Sequence, residues 1–190
     1  MPTTDLEENK IKQAQPEEGN DTAQNEREIR KNIFKNERVN FILGVILVIF
    51  SFYLTISFIS FFFTGSIDQS KVENLSVGEL SSIGNDIQNW TGAFGAYLSN
   101  LMINRWMGIS AFIVSLWLYV VGRRFMKVAH TRMIRFTISC ALSIIVLSLF
   151  FGFIFMHSYN NTFLYLGGYH GYYATLWLNA WIGPWGTALF

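Results

Sequence analysis

The sequence predicts an all-α membrane protein with four transmembrane helices arranged as two hairpins. Hydrophobic residues make up 51% of the 190 residues and aromatic residues 17%, which is more than an ordinary soluble domain carries. Charge is also segregated along the chain, because no Asp or Glu follows Asp86 while the basic residues gather in short stretches. Long uncharged runs between charged stretches are typical of a polytopic membrane protein.

The chain divides into a polar tail, residues 1–38, and a membrane domain, residues 39–190. The first 22 residues hold almost no large apolar side chain, so they cannot bury enough surface to offset the entropy of ordering. We expect this part to be disordered. Glu26 and Arg30 then have the spacing of a helical ion pair, which predicts a short juxtamembrane helix before the first span.

Two uncharged stretches predict the first and third spans. Phe41–Phe63 would form a helix about 34 Å long, enough to cross a hydrocarbon core of about 30 Å with slight tilt. The loop Thr64–Asn89 follows, with Lys71 as its only basic residue. Phe136–Met156 predicts the third span, and an uncharged connector leads from it to Gly168.

The stretch that starts at Trp90 is too long for a single span. A helix from Gly92 to Gly122 would measure about 46 Å. Arg105 and Trp106 interrupt it near the middle, and both are residue types that favour the headgroup region. We therefore expect Gly92–Asn104 to be a short helix at, or dipping into, the outer interface, and Met107–Gly122 to be the second span.

A similar glycine pattern returns near the end of the sequence. Three glycines fall at matching positions in the two stretches when one residue is deleted from the second: Gly92, Gly95 and Gly108, and then Gly168, Gly171 and Gly183. Because membrane helices are rich in glycine, chance is the alternative explanation. If the repeat is real, each hairpin has a glycine-marked interfacial segment before its return leg, and the six glycines allow close packing or a hinge.

The repeat also predicts where the fourth span begins. By analogy with Met107, it would start near Ile182, which leaves only nine residues, or about 13 Å of helix. On this interpretation the fourth span is truncated, and we expect the chain to be the N-terminal piece of a longer protein. The alternative is a span over Tyr169–Phe190, which is long enough but ends without a basic anchor.

Basic residues predict the orientation of the spans. They precede the first span and recur in the connector between the second and third spans, as Arg123, Arg124, Lys127, Arg132 and Arg135. The other two connectors are nearly free of Lys and Arg. Because basic loops stay in the cytoplasm, both ends of the membrane domain are expected there.

Reactive chemistry is not predicted, so we expect no catalytic, cofactor-binding or metal-binding residue. No GxxxxGK[ST] loop occurs, and His130, His157 and His170 form no ligand pair. Cys140 lies in an apolar run and is expected to be a packing residue. The remaining alternatives are a small four-span transporter or channel, for which the spans offer only scattered Ser, Thr and Asn, and a tetraspan scaffold, which usually carries loop cysteines.

Three segments resemble a known family. FFFTGSIDQSKV after the first span, NWTGAFGAYLSNLM followed by GISAF at the second, and GGYHGYYATLWLNAWIGPWGTALF at the end are similar to the membrane domain of FtsK/SpoIIIE-type DNA translocases. The resemblance covers Val39–Phe190. It implies four spans that anchor a cytoplasmic ATP-driven motor, which forms a ring on duplex DNA at the division septum.

The same resemblance implies a location and partners. The domain would lie in the bacterial cytoplasmic membrane and contact the lipid bilayer, septal division proteins and further copies of itself. ATP, Mg²⁺ and DNA would belong to the motor, whose phosphate-binding motif does not occur in these residues.

Overall fold

The computed structural model describes residues 36–73, 76–128, 132–156 and 163–189, and every regular element in these ranges is helical. The predicted all-α fold is therefore confirmed. The predicted disordered tail, His130 and His157 lie outside the described residues. The described residues contain five α-helices: α1 (Glu37–Val72), α2 (Gly92–Ser99), α3 (Ala111–Phe125), α4 (Met133–Ile154) and α5 (Gly168–Leu189). A 3₁₀ segment, Val77–Asp86, follows α1, and a π-helix, Asn100–Met107, and a 3₁₀ turn, Gly108–Ser110, join α2 to α3.

Three helical stretches of the described residues are long and apolar enough to cross a membrane: Glu37–Val72, Gly92–Phe125 and Met133–Ile154. The first is longer than the predicted span, because α1 continues nine residues beyond Phe63. The segment assigned to a polar loop is thus partly helical, and Asp68 and Val72 within it are fully buried. The polarity of these residues suggests a loop. The local sequence does not show that distant parts of the chain cover them.

The first hairpin is formed by α1 and α3, which run antiparallel. At one end, a Cβ added to Gly44 would lie 2.6 Å from the carbonyl oxygen of Gly122. In the middle, the Ser51 hydroxyl donates to the Ser115 carbonyl at 2.7 Å. Further along, the rings of Phe58 and Phe112 meet edge to face with centroids 5.4 Å apart. Small residues thus bring the backbones close at one end, and aromatic residues fill the other.

The second pair, α4 and α5, runs parallel over the part in contact. Gly171 packs against Ser148, and Asn179 donates to the Met156 sulfur at 3.2 Å. Both helices therefore advance in the same direction between these contacts. A simple antiparallel hairpin is not formed here, because the chain turns back before α5 begins and turns again only at Gly183, where φ is +73° and ψ is 169°.

Candidate functional site

Two glycine segments form the candidate site, the first at residues 92–108 and the second at residues 168–183. Each begins and ends with a glycine in the left-handed region, with φ of +76° at Gly92 and +67° at Gly108, and +68° at Gly168 and +73° at Gly183. Such angles are open to glycine at little cost. The turn before each segment is also the same: Gly92 N–H donates to the carbonyl of Asn89, and Gly168 N–H to that of Tyr165, both at 2.8 Å.

The repeat extends beyond the six glycines. Residues 101–108 read LMINRWMG and residues 176–183 read LWLNAWIG. An offset of 75 therefore pairs Asn104 with Asn179 and Trp106 with Trp181. The glycine spacing alone does not reveal these two pairs, but a direct comparison of the two octapeptides does.

Gly95 and Gly171 allow the segments to approach the preceding long helices. A Cβ at Gly95 would lie 2.8 Å from the Ser57 hydroxyl, and one at Gly171 would lie 2.2 Å from the Ser148 carbonyl. Ser57 donates to the Gly95 carbonyl at 2.7 Å, and Ser148 donates to the Gly167 carbonyl at 2.6 Å. One serine of each long helix thus bonds a backbone carbonyl of its own repeat.

These serines lie near the middle of uncharged runs. Ser57 is four residues, or about 6 Å, beyond the centre of residues 39–67, and Ser148 is two residues, or about 3 Å, beyond the centre of residues 136–156. The segments therefore begin beside the middle of each run. Of the two predicted placements, at the outer interface or dipping into it, this position favours a segment that dips inward. The first then rises along α1 until the Arg105 guanidinium reaches the Glu73 carbonyl.

The connector before the first segment, residues 87–91, is not helical, yet α1 satisfies much of its backbone. Gln88 N–H donates to the Asp68 carboxylate at 2.9 Å, and Trp90 N–H donates to the Ser60 hydroxyl at 2.9 Å. Asp68 and Ser60 are fully buried. Because unpaired backbone groups are costly away from water, these two side chains explain how an extended segment can lie against the helix.

The two halves meet where the first segment ends and the second begins. The Asn104 amide donates to the Phe163 carbonyl, and its oxygen accepts from Tyr165 N–H, both at 3.1 Å. Ile109 N–H donates to the Leu166 carbonyl at 2.8 Å. A Cβ at Gly168 would lie 2.7 Å from the backbone nitrogen of Gly108. Glycine at both positions permits this backbone-to-backbone contact.

The predicted topology residues lie apart from the glycine segments. Arg123 and Arg124 are in the last turn of α3, Lys127 follows that helix with φ of +59°, and Arg132 and Arg135 are at the start of α4. The Arg123 guanidinium lies 5.6 Å from the ring centre of Tyr119. Cations thus gather at one end of the bundle, and the Gly108–Gly168 junction lies toward the other.

Comparison with known proteins assigns the fold to a family. The family model described as the 4TM region of DNA translocase FtsK/SpoIIIE matches residues 36–190. No curated protein and no solved structure matches the chain. The family match covers every described element, from α1 to the break at Gly183. The chain therefore belongs to the family of the four-transmembrane region of the FtsK/SpoIIIE DNA translocases.

Proposed function

We propose that the chain anchors an FtsK-like DNA translocase in the cytoplasmic membrane and tethers its motor at the division septum. The family match over residues 36–190 is the observation that carries this proposal. The matched region is the membrane part of the translocase, so the chain itself acts as an anchor and hydrolyses no ATP. ATP, Mg²⁺ and DNA are handled by the motor, and septal division proteins contact the membrane domain.

The proposed orientation places both ends of the membrane domain in the cytoplasm. It is supported by the five cations from Arg123 to Arg135, which lie at the end of α3, in the connector that follows and at the start of α4, because basic segments of this kind are retained on the cytoplasmic side. The 3₁₀ segment Val77–Asp86 then faces outward. In this arrangement the two glycine segments are re-entrant. Each starts near the middle of the membrane, rises outward and turns at its last glycine, Gly108 or Gly183.

The test is where a fluorescently tagged chain goes in dividing cells. The tagged chain is expected to concentrate at the division site, and the purified chain is expected to show no ATP hydrolysis above a detergent blank. A matched control fuses the tag to α1 alone, which keeps the first span and removes both glycine segments. Equal, uniform membrane fluorescence of the two proteins would contradict a septal anchor.

A further inference from the structure

A groove runs along one face of α4, first beside α3 and then beside the start of α5. It consists of two cavities, of about 150 and 340 Å³, which meet at Ile144 because this residue lines both. The first cavity begins at Trp117 and Thr137, and the second reaches Leu149. From Thr137 to Leu149 the groove follows about 18 Å of helix. We call it the α4 groove.

Small residues leave the space that forms the α4 groove. Cys140 and Ala141 line the first cavity, and Gly171 and Ala174 line the second. At the end near the start of α4, the Trp117 indole N–H donates to the hydroxyl of Thr137 at 3.0 Å, which holds α3 and α4 at a fixed separation. The lining of both cavities is almost wholly apolar, so the groove suits a hydrocarbon ligand.

The position of the α4 groove along the span matches one leaflet of a bilayer. Thr137 is the second residue of the uncharged run 136–156, and Leu149 lies three residues beyond the centre of that run. The groove therefore extends from one surface of the hydrocarbon core to just past its middle. Its length of about 18 Å compares with about 15 Å for half of the core. An acyl chain of a single leaflet covers the same depth.

The width of the α4 groove distinguishes an acyl chain from a partner helix. Spread over about 18 Å, the two cavities correspond to a channel about 6 Å wide on average. An α-helix with its side chains is about 10–12 Å in diameter. A helix of another protein is therefore too wide to enter the groove, whereas a single extended hydrocarbon chain fits it.

Exposed cations lie at the end of the α4 groove that reaches the membrane surface. Trp117 lines the groove, and Arg124 follows it by seven residues, which places both on the same face of α3 and about 10 Å apart along the helix. Arg124, Lys127 and Arg132 are exposed. No Asp or Glu follows Asp86, so α3, its connector and α4 carry no carboxylate that would neutralise these cations.

We propose that the α4 groove binds one acyl chain of an anionic phospholipid, whose phosphate group contacts Arg124. The apolar lining takes the chain, and the guanidinium selects the headgroup because its fork of N–H donors matches phosphate oxygens. Cations beside a membrane surface attract anionic lipid in general, and the groove gives one such lipid a defined position. The proposal goes beyond the anchoring function and does not depend on septal location.

Lipid retention by the purified full-length chain tests the selection of the headgroup. The chain in detergent is titrated with phosphatidylglycerol or phosphatidylcholine of identical acyl chains, and bound lipid is counted by native mass spectrometry. The wild type is expected to retain one phosphatidylglycerol at concentrations at which phosphatidylcholine is not retained. Arg124→Gln is expected to weaken this binding about fivefold.

Arg135→Gln is the matched control for Arg124→Gln. Arg135 is also exposed and lies at the same end of the bundle, so the change in charge is the same. It precedes Thr137 by two residues, however, and therefore lies on the side of α4 opposite the groove. Arg135→Gln is expected to change the affinity for phosphatidylglycerol less than about twofold, since only general attraction is lost.

A second pair of variants tests whether the chain occupies the groove. Ala141→Phe places a ring in the first cavity and is expected to abolish retention of the first phosphatidylglycerol. Leu142→Phe adds a ring at the next position, which is 58% exposed and does not line this cavity, and is expected to bind as the wild type does. Thermal unfolding midpoints check that both variants are folded.

Cys140 gives an independent measurement, because it is the single cysteine of the sequence and lines the groove. Alkylation of Cys140 by N-ethylmaleimide in detergent is followed by mass. Phosphatidylglycerol is expected to slow the reaction, and phosphatidylcholine at the same concentration is expected to leave it unchanged. The protection should be lost in Arg124→Gln and kept in Arg135→Gln.

Three results would overturn the proposal. Equal weakening by Arg124→Gln and Arg135→Gln would show that the cations act only as a general surface charge. Equal retention of the two lipids by the wild type would show that the headgroup is not selected. Undiminished retention of phosphatidylglycerol by folded Ala141→Phe, or unprotected Cys140 in the lipid-bound wild type, would place the lipid outside the α4 groove.

Discussion

Asn104 accepts a hydrogen bond from the backbone N–H of Tyr165, 61 residues further along the chain. Its amide also donates to Asn100 and to the Phe163 carbonyl. A single buried side chain therefore holds the end of the first glycine segment to the connector that precedes the second. This position lies in the π-helix Asn100–Met107, a local irregularity that is often found at functional sites.

Asn104→Ala is expected to destabilise the folded domain by about 1–3 kcal/mol, since it removes the part-buried hydrogen bonds to the Tyr165 N–H and to the Phe163 carbonyl. The midpoint of thermal unfolding in detergent is the measurement. Asn179→Ala is the matched control, because the one hydrogen bond that the Asn179 side chain makes to the described residues is a weak one, to the Met156 sulfur. In monomeric protein it should cost clearly less, and equal losses would contradict the role assigned to Asn104.

Gly171→Ala is expected to reduce stability markedly, because the new Cβ would lie 2.2 Å from the backbone oxygen of Ser148. A backbone atom cannot move aside as a flexible side chain can, so α4 and α5 must separate. Gly84→Ala is the control, since a Cβ there would meet no atom of the described residues within 4 Å. The yield of folded protein after detergent extraction should fall only for Gly171→Ala. A similar yield for both variants would show that close approach of α4 and α5 is not required.

Asp68 is expected to act as a hydrogen-bond acceptor rather than as a required charge. One carboxylate oxygen accepts from Gln88 N–H, and the other is buried and has no hydrogen-bond partner among the described residues. Asp68→Asn keeps an acceptor and removes a buried charge, so stability should stay within about 1 kcal/mol or rise. Asp68→Leu removes the acceptor and should cost about 1–3 kcal/mol. Unfolding midpoints compare the two, and a larger loss for Asn than for Leu would show that the charge itself is needed.

Cysteine accessibility in intact cells tests the orientation. In a Cys140→Ser background, Gly84→Cys in the 3₁₀ segment after α1 is expected to react with an impermeant thiol reagent. Val128→Cys, next to the cationic connector and at a 61% exposed position, is expected to react only after lysis. Both sites lie outside the long helices, so differences in burial within the membrane do not confuse the comparison. The reverse labelling pattern would show that the membrane domain has the opposite orientation.

Glu79 is expected to make the 3₁₀ segment after α1 sensitive to acid. Hydrogen bonds from the Ser76 backbone N–H and hydroxyl hold the pKa of this carboxyl below its ordinary value of 4.5. The contribution of the ionised Glu79 carboxyl to the stability of this segment is therefore present above pH 4.5 and is lost as the pH falls through the lowered pKa. Hydrogen exchange of the segment, corrected for intrinsic rates, should show this loss in the wild type and not in Glu79→Gln. An identical acid response of the two proteins would contradict the role assigned to Glu79.

Much of the fold could be predicted because hydropathy and charge are properties of contiguous residues. The uncharged runs located α1 and α4, and the glycine pattern placed the breaks near Gly108 and Gly183, where the backbone does leave helical geometry. The predicted start of the second span, at Met107, falls one residue before the first break. Which residues carry function beyond packing remains a prediction.

The depth of the glycine segments could not be predicted in the same way. It depends on where Gly95 meets Ser57 and where Gly171 meets Ser148, and no local pattern specifies either pairing. The continuation of α1 through Asp68 was missed for a related reason. A charged residue suggests a loop unless the backbone N–H that it binds, at Gln88, is already known.

The sequence by itself thus determined the helical class, the location of three apolar stretches long enough to cross a membrane, and the positions of the glycine breaks, because each follows from residues close together along the chain. Tertiary structure alone decided which polar side chains hold the non-helical connectors: Asp68 and Ser60 for the first, Asn104 and Ser148 for the second. The physical reason is that a buried backbone group must find a hydrogen-bond partner wherever the fold supplies one. Here the partners are 19 to 61 residues away.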